Sequence, residues 1–451
     1  MRASLFTAAL AAAAISGCRS TPPEGVALVG ATLIDGSGRA PTRDAVVVVR
    51  GGKIVAAGPR ADIEIPPKLR QVDLAGRWII PGLIDAHAHV ARWSLPRYLA
   101  WGVTTVRDVH GTLDSVIKLR HELSIGSIAG PRMFIAGAMI DGVPATYPDA
   151  IAAATPAIAR KGIDRLVSLG VDYAKVYTRV DPAMLRATLD EAKTFRLKVT
   201  GHLGLTDAVT AAELGLSADE HMSGVPEATD TGLARALSAE HRRGFFPGWT
   251  AFERSWAGLD SAALARVARA LARYRVVVVP TLVLHETFSL LDDPMTLGDT
   301  MLAVVPSAQR DSWNVAGMVQ RAGWGPDEFA AFRRARPKQD QFLRLFRAAG
   351  GMIAAGTDAA NQLLIPGYSE HEEMALLTAA GLTPAEALAA ATSNGARLLG
   401  ADSLGRIRAG AVADLVVLRR DPLKDIHNTR SIESVMSRGR LMQADSIRAS
   451  W

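Results

Sequence analysis

Apolar positions along this chain follow two patterns. From Val26 to Leu74 short apolar runs are broken by turn residues. Val26 to Ile34 is apolar, Asp35-Gly36-Ser37-Gly38 interrupts it, and Asp44 to Arg50 carries four consecutive valines. Gly51-Gly52-Lys53 then reads as a hairpin turn into Ile54 to Gly58. The same texture returns at Ala413 to Leu418, Ile432 to Ser437 and Leu441 to Gln443, with Gly439 as a turn. Two β-rich ends around a different middle predict that the termini meet in one small β-sandwich domain, 26–78 with 400–451.

The middle, 79–399, alternates apolar strands with Ala-rich or amphipathic helices. Strands are expected at Trp78 to Ile84, Val103 to Arg107, Arg132 to Ala138, Tyr173 to Tyr177, Lys198 to Gly201, Leu216 to Glu220, Val276 to Leu284 and Met352 to Ala355. Helices are expected at Pro182 to Phe195, Ser261 to Tyr274 and Pro384 to Leu399. This alternation predicts an α/β fold, a (β/α)8 TIM-like barrel. An insertion over 288–346, carrying Trp313, Trp324 and Phe329, is expected to form helices over the barrel mouth, with the two tryptophans as candidates for an aromatic lid.

The extreme N-terminus reads as an address. Arg2 precedes an apolar stretch from Leu5 to Ile15, followed by Ser16-Gly17-Cys18. Such a stretch suits a signal peptide (1–17), because a spanning helix needs about 20 residues. The cysteine after small residues resembles a bacterial lipoprotein signal, with Cys18 lipidated and 18–25 as a tether. An exported periplasmic or cell-surface lipoprotein is expected, touching the membrane only through that anchor.

Composition narrows the classes. The chain has 451 residues, 49% hydrophobic and 21% charged, enough to fill a large core. The net charge of +6 comes from scattered charges, without a basic run that would bind nucleic acid. Cys18 is the only cysteine, which rules out an intrachain disulfide framework and a Cys-based zinc site.

In a barrel of this type chemistry gathers where strands end at their C-terminal side. The first strand runs into His87-Ala88-His89, whose two imidazoles, at i and i+2, face one side of an extended chain. Val199-Thr200-Gly201-His202 and Asp219-Glu220-His221 end the fifth and sixth strands, and Ala355-Gly356-Thr357-Asp358 ends the eighth. Lys175 sits in the apolar run Tyr173-Ala174-Lys175-Val176-Tyr177, where burial favours the neutral amine. That amine could pair with a buried acid such as Asp172, or add carbon dioxide and become an anionic carbamate. Neutral imidazoles suit a zinc-like cation, and a carboxylate beside them is available for proton transfer.

The chain resembles the amidohydrolase superfamily, in its imidazolonepropionase-like and prolidase-like branch. The resemblance rests on Ile80-Pro81-Gly82-Leu83-Ile84-Asp85-Ala86-His87-Ala88-His89, Gly102-Val103-Thr104-Thr105-Val106-Arg107-Asp108 and Gly356-Thr357-Asp358. Gly381 to Leu388 and Gly405 to Leu415 are similar to the family's closing segments. It implies that His87, His89 and Asp358 hold one metal, His202 and His221 a second, with carbamylated Lys175 bridging two divalent ions, zinc by preference. Imidazolonepropionases use one metal and have no such lysine, so Lys175 points to the two-metal, peptide-cleaving relatives.

The expected reaction is hydrolysis of an amide bond in a dipeptide or N-acyl amino acid, with Asp358 moving the proton. Cyclic amides, lactones and xenobiotic amides are an alternative substrate class. A non-catalytic surface-binding lipoprotein is a third reading. Substrate contacts are expected from Tyr177, which shares a strand face with Lys175, and from His110, His285 and Arg179. The partner is a small molecule or dipeptide, with self-association into a homo-oligomer left open.

Overall fold

The four valines at 46–49 are buried on both faces of one strand, which explains why they do not alternate with polar residues. Val47 and Val49 pack with Leu28, Ile79, Leu415 and Met436, whereas Val46 and Val48 pack with Ala27, Val29 and Leu69 on the other face. The structure, a computed structural model, describes residues 25–449. The expected signal peptide and Cys18 lie outside the described residues. Among the described residues no helix is long and apolar enough to cross a membrane.

The ends of the chain meet in one sheet. Val26–Leu33, Thr42–Arg50 and Lys53–Pro59 form an antiparallel meander. Leu415–Leu418, Ile432–Ser437 and Arg440–Gln443 form a second. Trp78–Pro81 joins the two, parallel to Val26–Leu33 and antiparallel to Leu415–Leu418. The sheet then curls until Ile54 N–H reaches the Ala411 carbonyl at 2.8 Å and Ala413 N–H reaches the Gly52 carbonyl at 2.9 Å. The sandwich is therefore one eight-stranded sheet folded around its own core rather than two separate sheets.

Trp78 to Ile84 is not one barrel strand, as the apolar run suggested. Gly82 divides it, because a Cβ there would collide with the Thr104 side chain. Trp78–Pro81 stays in the terminal sheet, and the crossing between the two units falls after Pro81 instead of at 78/79.

The barrel strands are β1 (Leu83–Ala88), β2 (Val103–Asp108), β3 (Arg132–Ile135), β4 (Ala174–Val176), β5 (Val199–Gly201), β6 (Ala218–Glu220), β7 (Val277–Val279) and β8 (Met352–Ile353). Parallel pairing links β1 to β3 and β4 to β8 in order. Asp172 N–H to the Ile135 carbonyl, 2.9 Å, joins β3 to β4. Ala86 N–H to the Ala355 carbonyl, 2.9 Å, closes the ring. The helices pack outside it through apolar stripes. In Ser261–Arg273 the buried positions are Ala263, Leu264, Val267, Ala268 and Leu271, and Asp260 caps the first turn.

Two segments depart from expectation. The run Val276 to Leu284 is strand only to Val279; Thr281 turns the chain in the left-handed region (φ 47°), and Leu282–Ser289 is helical. A second helical excursion, Thr231–Arg243 and Phe245–Trp256, stands between β6 and β7. The expected insertion is present as Pro294–Leu297, Thr300–Val304, Ser307–Trp313, Val315–Ala322 and Pro326–Ala348.

Candidate metal centre

β1 carries His87 and continues into His89, and β8 continues into Asp358 beside them. His87 Nε2 lies 2.9 Å and His89 Nε2 3.0 Å from Asp358 Oδ1. One ligand atom from each of the three residues lies within 4.8 Å of the others. The approach of β8 to β1 needs a glycine: a Cβ on Gly356 would sit 2.7 Å from His87 N and 2.7 Å from Val279 Cγ1. Asp358 and His221 both hold φ of 63°, so the backbone is in a sparsely populated conformation at two of the candidate ligands.

His202 follows β5 and His221 follows β6. The His221 ring lies 4.5 Å from that of His87 and 4.6 Å from that of His202. Three rings are turned the same way by a partner on Nδ1. Glu220 Oε2 holds His87 at 2.6 Å, the His110 carbonyl holds His89 at 2.9 Å, and Thr281 Oγ1 holds His221 at 2.7 Å. Each partner occupies Nδ1, the arrangement that orients imidazoles toward a cation through Nε2; in His87 and His89 that atom meets Asp358 Oδ1. Burial, reinforced by Lys175 for His202 and by His87 for His221, pushes both rings well below the ordinary histidine range.

Lys175 extends from β4 into the same space. It is 2% exposed, and its Nζ has no hydrogen-bond partner among the described residues. Burial lowers its amine to about 8, against the opposing pull of Glu220. Pairing with Asp172 does not occur; that carboxylate binds Arg120 at 3.0 Å and Ile135 N–H at 2.8 Å. An orphaned amine in the same cavity as four imidazoles and a carboxylate fits a cation-binding site. It does not fit an apolar core, where even an unpaired neutral amide or hydroxyl costs about 2–7 kcal/mol and an ammonium more.

Two supporting residues escaped the sequence reading. Glu220 faces the barrel interior, where Arg107 binds it at 2.6 Å and Thr200 also donates to it. Burial would raise this carboxylate, but Arg107 and His87 hold it well below the usual range. The strand ends at Glu220, and the left-handed backbone at His221 (φ 63°) breaks the alternation, so both side chains reach the neighbourhood of His87. Asn361 donates Nδ2 to Asp358 Oδ2 at 2.7 Å and fixes the second carboxylate oxygen. Its signal was only a polar side chain one turn after Asp358.

All six candidate ligands line one cavity of about 440 Å³. Tyr177 and His110 line it too, as expected. The Tyr177 ring lies 4.8 Å from His202. His110 accepts Met139 N–H on Nδ1 at 3.2 Å and reaches Asp149 with Nε2 at 3.1 Å. The other two substrate candidates lie outside the cavity lining. His285 does not line the cavity: it is buried behind Trp249, stacked at 5.3 Å, with Nδ1 on Glu253. Arg179 does not line it either, because its guanidinium is taken by the Pro144, His241 and Arg242 carbonyls. Trp313 and Trp324 are 6% and 5% exposed and bonded to the Ala360 carbonyl and Thr250 Oγ1, so they are packing residues rather than a lid. The aromatic wall comes instead from Phe245, Phe246, Trp249 and Phe288.

The sequence model of the amidohydrolase family matches residues 78–442. An imidazolonepropionase of Deinococcus radiodurans is 27% identical over 405 residues, covering 86% of this chain and 88% of that protein. Among solved structures, a bottromycin amidohydrolase superposes with a TM-score of 0.72 at 23% identity, covering 95% of this chain and 89% of the other. A Xaa-Pro dipeptidase with methionine bound in its active site superposes with a TM-score of 0.68 at 19% identity, covering 93% and 100%. At these identities the structural likeness establishes the fold.

Proposed function

The chain belongs to the amidohydrolase family, and from that membership we propose that it is a binuclear metal-dependent hydrolase releasing a C-terminal amino acid from dipeptides or N-acyl amino acids. The observation that carries this reading is the buried, unpartnered Lys175 amine in the same cavity as His87, His89, His202, His221 and Asp358. A donor set of imidazoles with one carboxylate favours zinc.

In this reading His87, His89 and Asp358 would hold one cation and His202 and His221 the other. The neutral Lys175 amine would add carbon dioxide, forming a C–N bond and releasing one proton, and its carbamate would supply an anionic ligand to the cations. Bound divalent cations supply Lewis acidity and bring the pKa of coordinated water toward neutrality. Asp358 accepts the proton of the attacking water and returns it to the departing amine nitrogen. Glu220 and Arg107 keep the His87 ring from turning, and the aromatic wall excludes bulk water from the reacting carbonyl.

Metal analysis of the purified protein, run beside a panel of dipeptides and N-acyl amino acids, tests the reading. Two equivalents of divalent metal and cleavage of free-carboxylate substrates are expected. Turnover confined to cyclic amides or lactones would replace the peptide-like substrate class. Export and anchoring through Cys18 complete the proposal, supported by the apolar run Leu5 to Ile15 before Ser16-Gly17-Cys18. Radiolabelled lipid incorporation is expected in the intact protein and absent from Cys18→Ser; equal labelling of the two rules the anchor out.

A further inference from the structure

We infer that Arg321 anchors the substrate carboxylate, and that the amino acid bearing this carboxylate has a large apolar side chain, aromatic by preference. This deepens the amidase reading and rests on it. Among the described residues lining the cavity, Arg321 is the one guanidinium and Asp358 the one carboxylate. Asp358 is engaged by His87, His89 and Asn361. The Arg321 guanidinium, by contrast, makes no ion pair or hydrogen bond with the described residues. On other helices Arg254 pairs with Glu328, Arg333 with Asp292, and Arg336 with Glu286 and Asp340; Arg310 and Arg334 are also without a partner among the described residues, but neither lines the cavity. A cation left unpaired at the rim of a cavity is a natural partner for an anion that arrives with the ligand.

Its surroundings define that ligand further. Arg321 lies in the last turn of Val315–Ala322, a helix capped by Asn314, and one turn after the buried Met318. Positions i and i+3 share a helix face, so the charge and the thioether project to the same side. Phe246 and Phe288 line the cavity with them, each ring 5.8 Å from Trp324. Trp324 in turn donates to Thr250 at 2.7 Å and ties the two helical excursions together. The anion site therefore borders an apolar wall, and the candidate metal-ligand side chains line the same cavity. A planar guanidinium takes a carboxylate through two parallel hydrogen bonds. A ring against Phe246, Phe288 and Met318 gains both buried area and favourable ring geometry.

The test uses the metal-loaded enzyme with N-acetyl-L-phenylalanine, its carboxamide, and N-acetylglycine. Blocking the carboxylate should lower wild-type kcat/KM about 10–100-fold, the usual range for a charged hydrogen-bonded contact. Arg321→Met, which keeps the length of the stem, should lose a similar factor on the acid and almost none on the carboxamide. N-acetylglycine should be a poorer substrate than N-acetyl-L-phenylalanine in both proteins. Equal losses on acid and carboxamide, no loss on either, or parity of glycine with phenylalanine would each overturn the inference. Calorimetric titration with the same acid decides the matter without turnover. If it binds wild type and not Arg321→Met yet is never cleaved, the anchor stands and the amidase reading falls. Equal affinity for both proteins, or none for wild type, removes the anchor.

Discussion

Asp358→Asn is expected to lower kcat for the best amide substrate about a thousandfold while leaving the protein folded, in line with the loss of a general acid–base group. Asparagine keeps the shape of the side chain but cannot take the proton of the attacking water. The backbone tolerates the change: Asp358 stands at φ 63°, a conformation that asparagine adopts as readily as aspartate. Its own N–H donates 2.7 Å to the His87 carbonyl, a bond the substitution keeps. Thermal midpoints of the metal-free proteins should therefore agree closely, and metal content measured beside kcat separates loss of proton transfer from loss of a cation ligand. A loss of only twofold would remove Asp358 from proton transfer, and a collapsed midpoint would show that the residue acts through the fold.

The second large effect is expected at Lys175. Lys175→Ala and Lys175→Met should both lose much of the bound metal and nearly all turnover, because neither can supply a bridging anion. The methionine variant fills the space of the buried stem and removes the ammonium that burial destabilises, so its stability should match or exceed wild type. Metal content by elemental analysis, set against the unfolding midpoint of each variant, separates loss of the bridge from loss of packing. Full metal content and activity in Lys175→Met would end the carbamate proposal. Retention in methionine with loss in alanine would make the residue a matter of volume.

The candidate ligands were legible in the sequence because each lies in a strand or in the segment that follows one, and strand ends in this fold point into one space. His87 and His89 share a face by the two-residue repeat of extended chain, and Lys175 stands out as one of only nine lysines in the chain, set in an apolar run. The substrate side was read less well. Arg179 followed Tyr177 at a spacing that suggested a shared face, but the chain leaves β4 after Val176 and turns the guanidinium onto carbonyls of other segments. His285 was read as following a strand that in fact ends at Val279; on the helix that takes over, its ring is buried against Trp249. Arg321 carried no local mark at all among so many arginines.

Local spacing along the chain, then, determined the alternation of strands and helices, the β-rich ends and the set of candidate cation ligands. Those properties depend on backbone periodicity and on the cost of burying a polar group, and both act within a few residues. The tertiary structure decided which carboxylate steadies His87, which arginine lines the cavity, and which aromatic rings wall it. Such choices depend on the curvature of a closed sheet and on helices inserted far along the chain, where proximity in space has no counterpart in sequence separation.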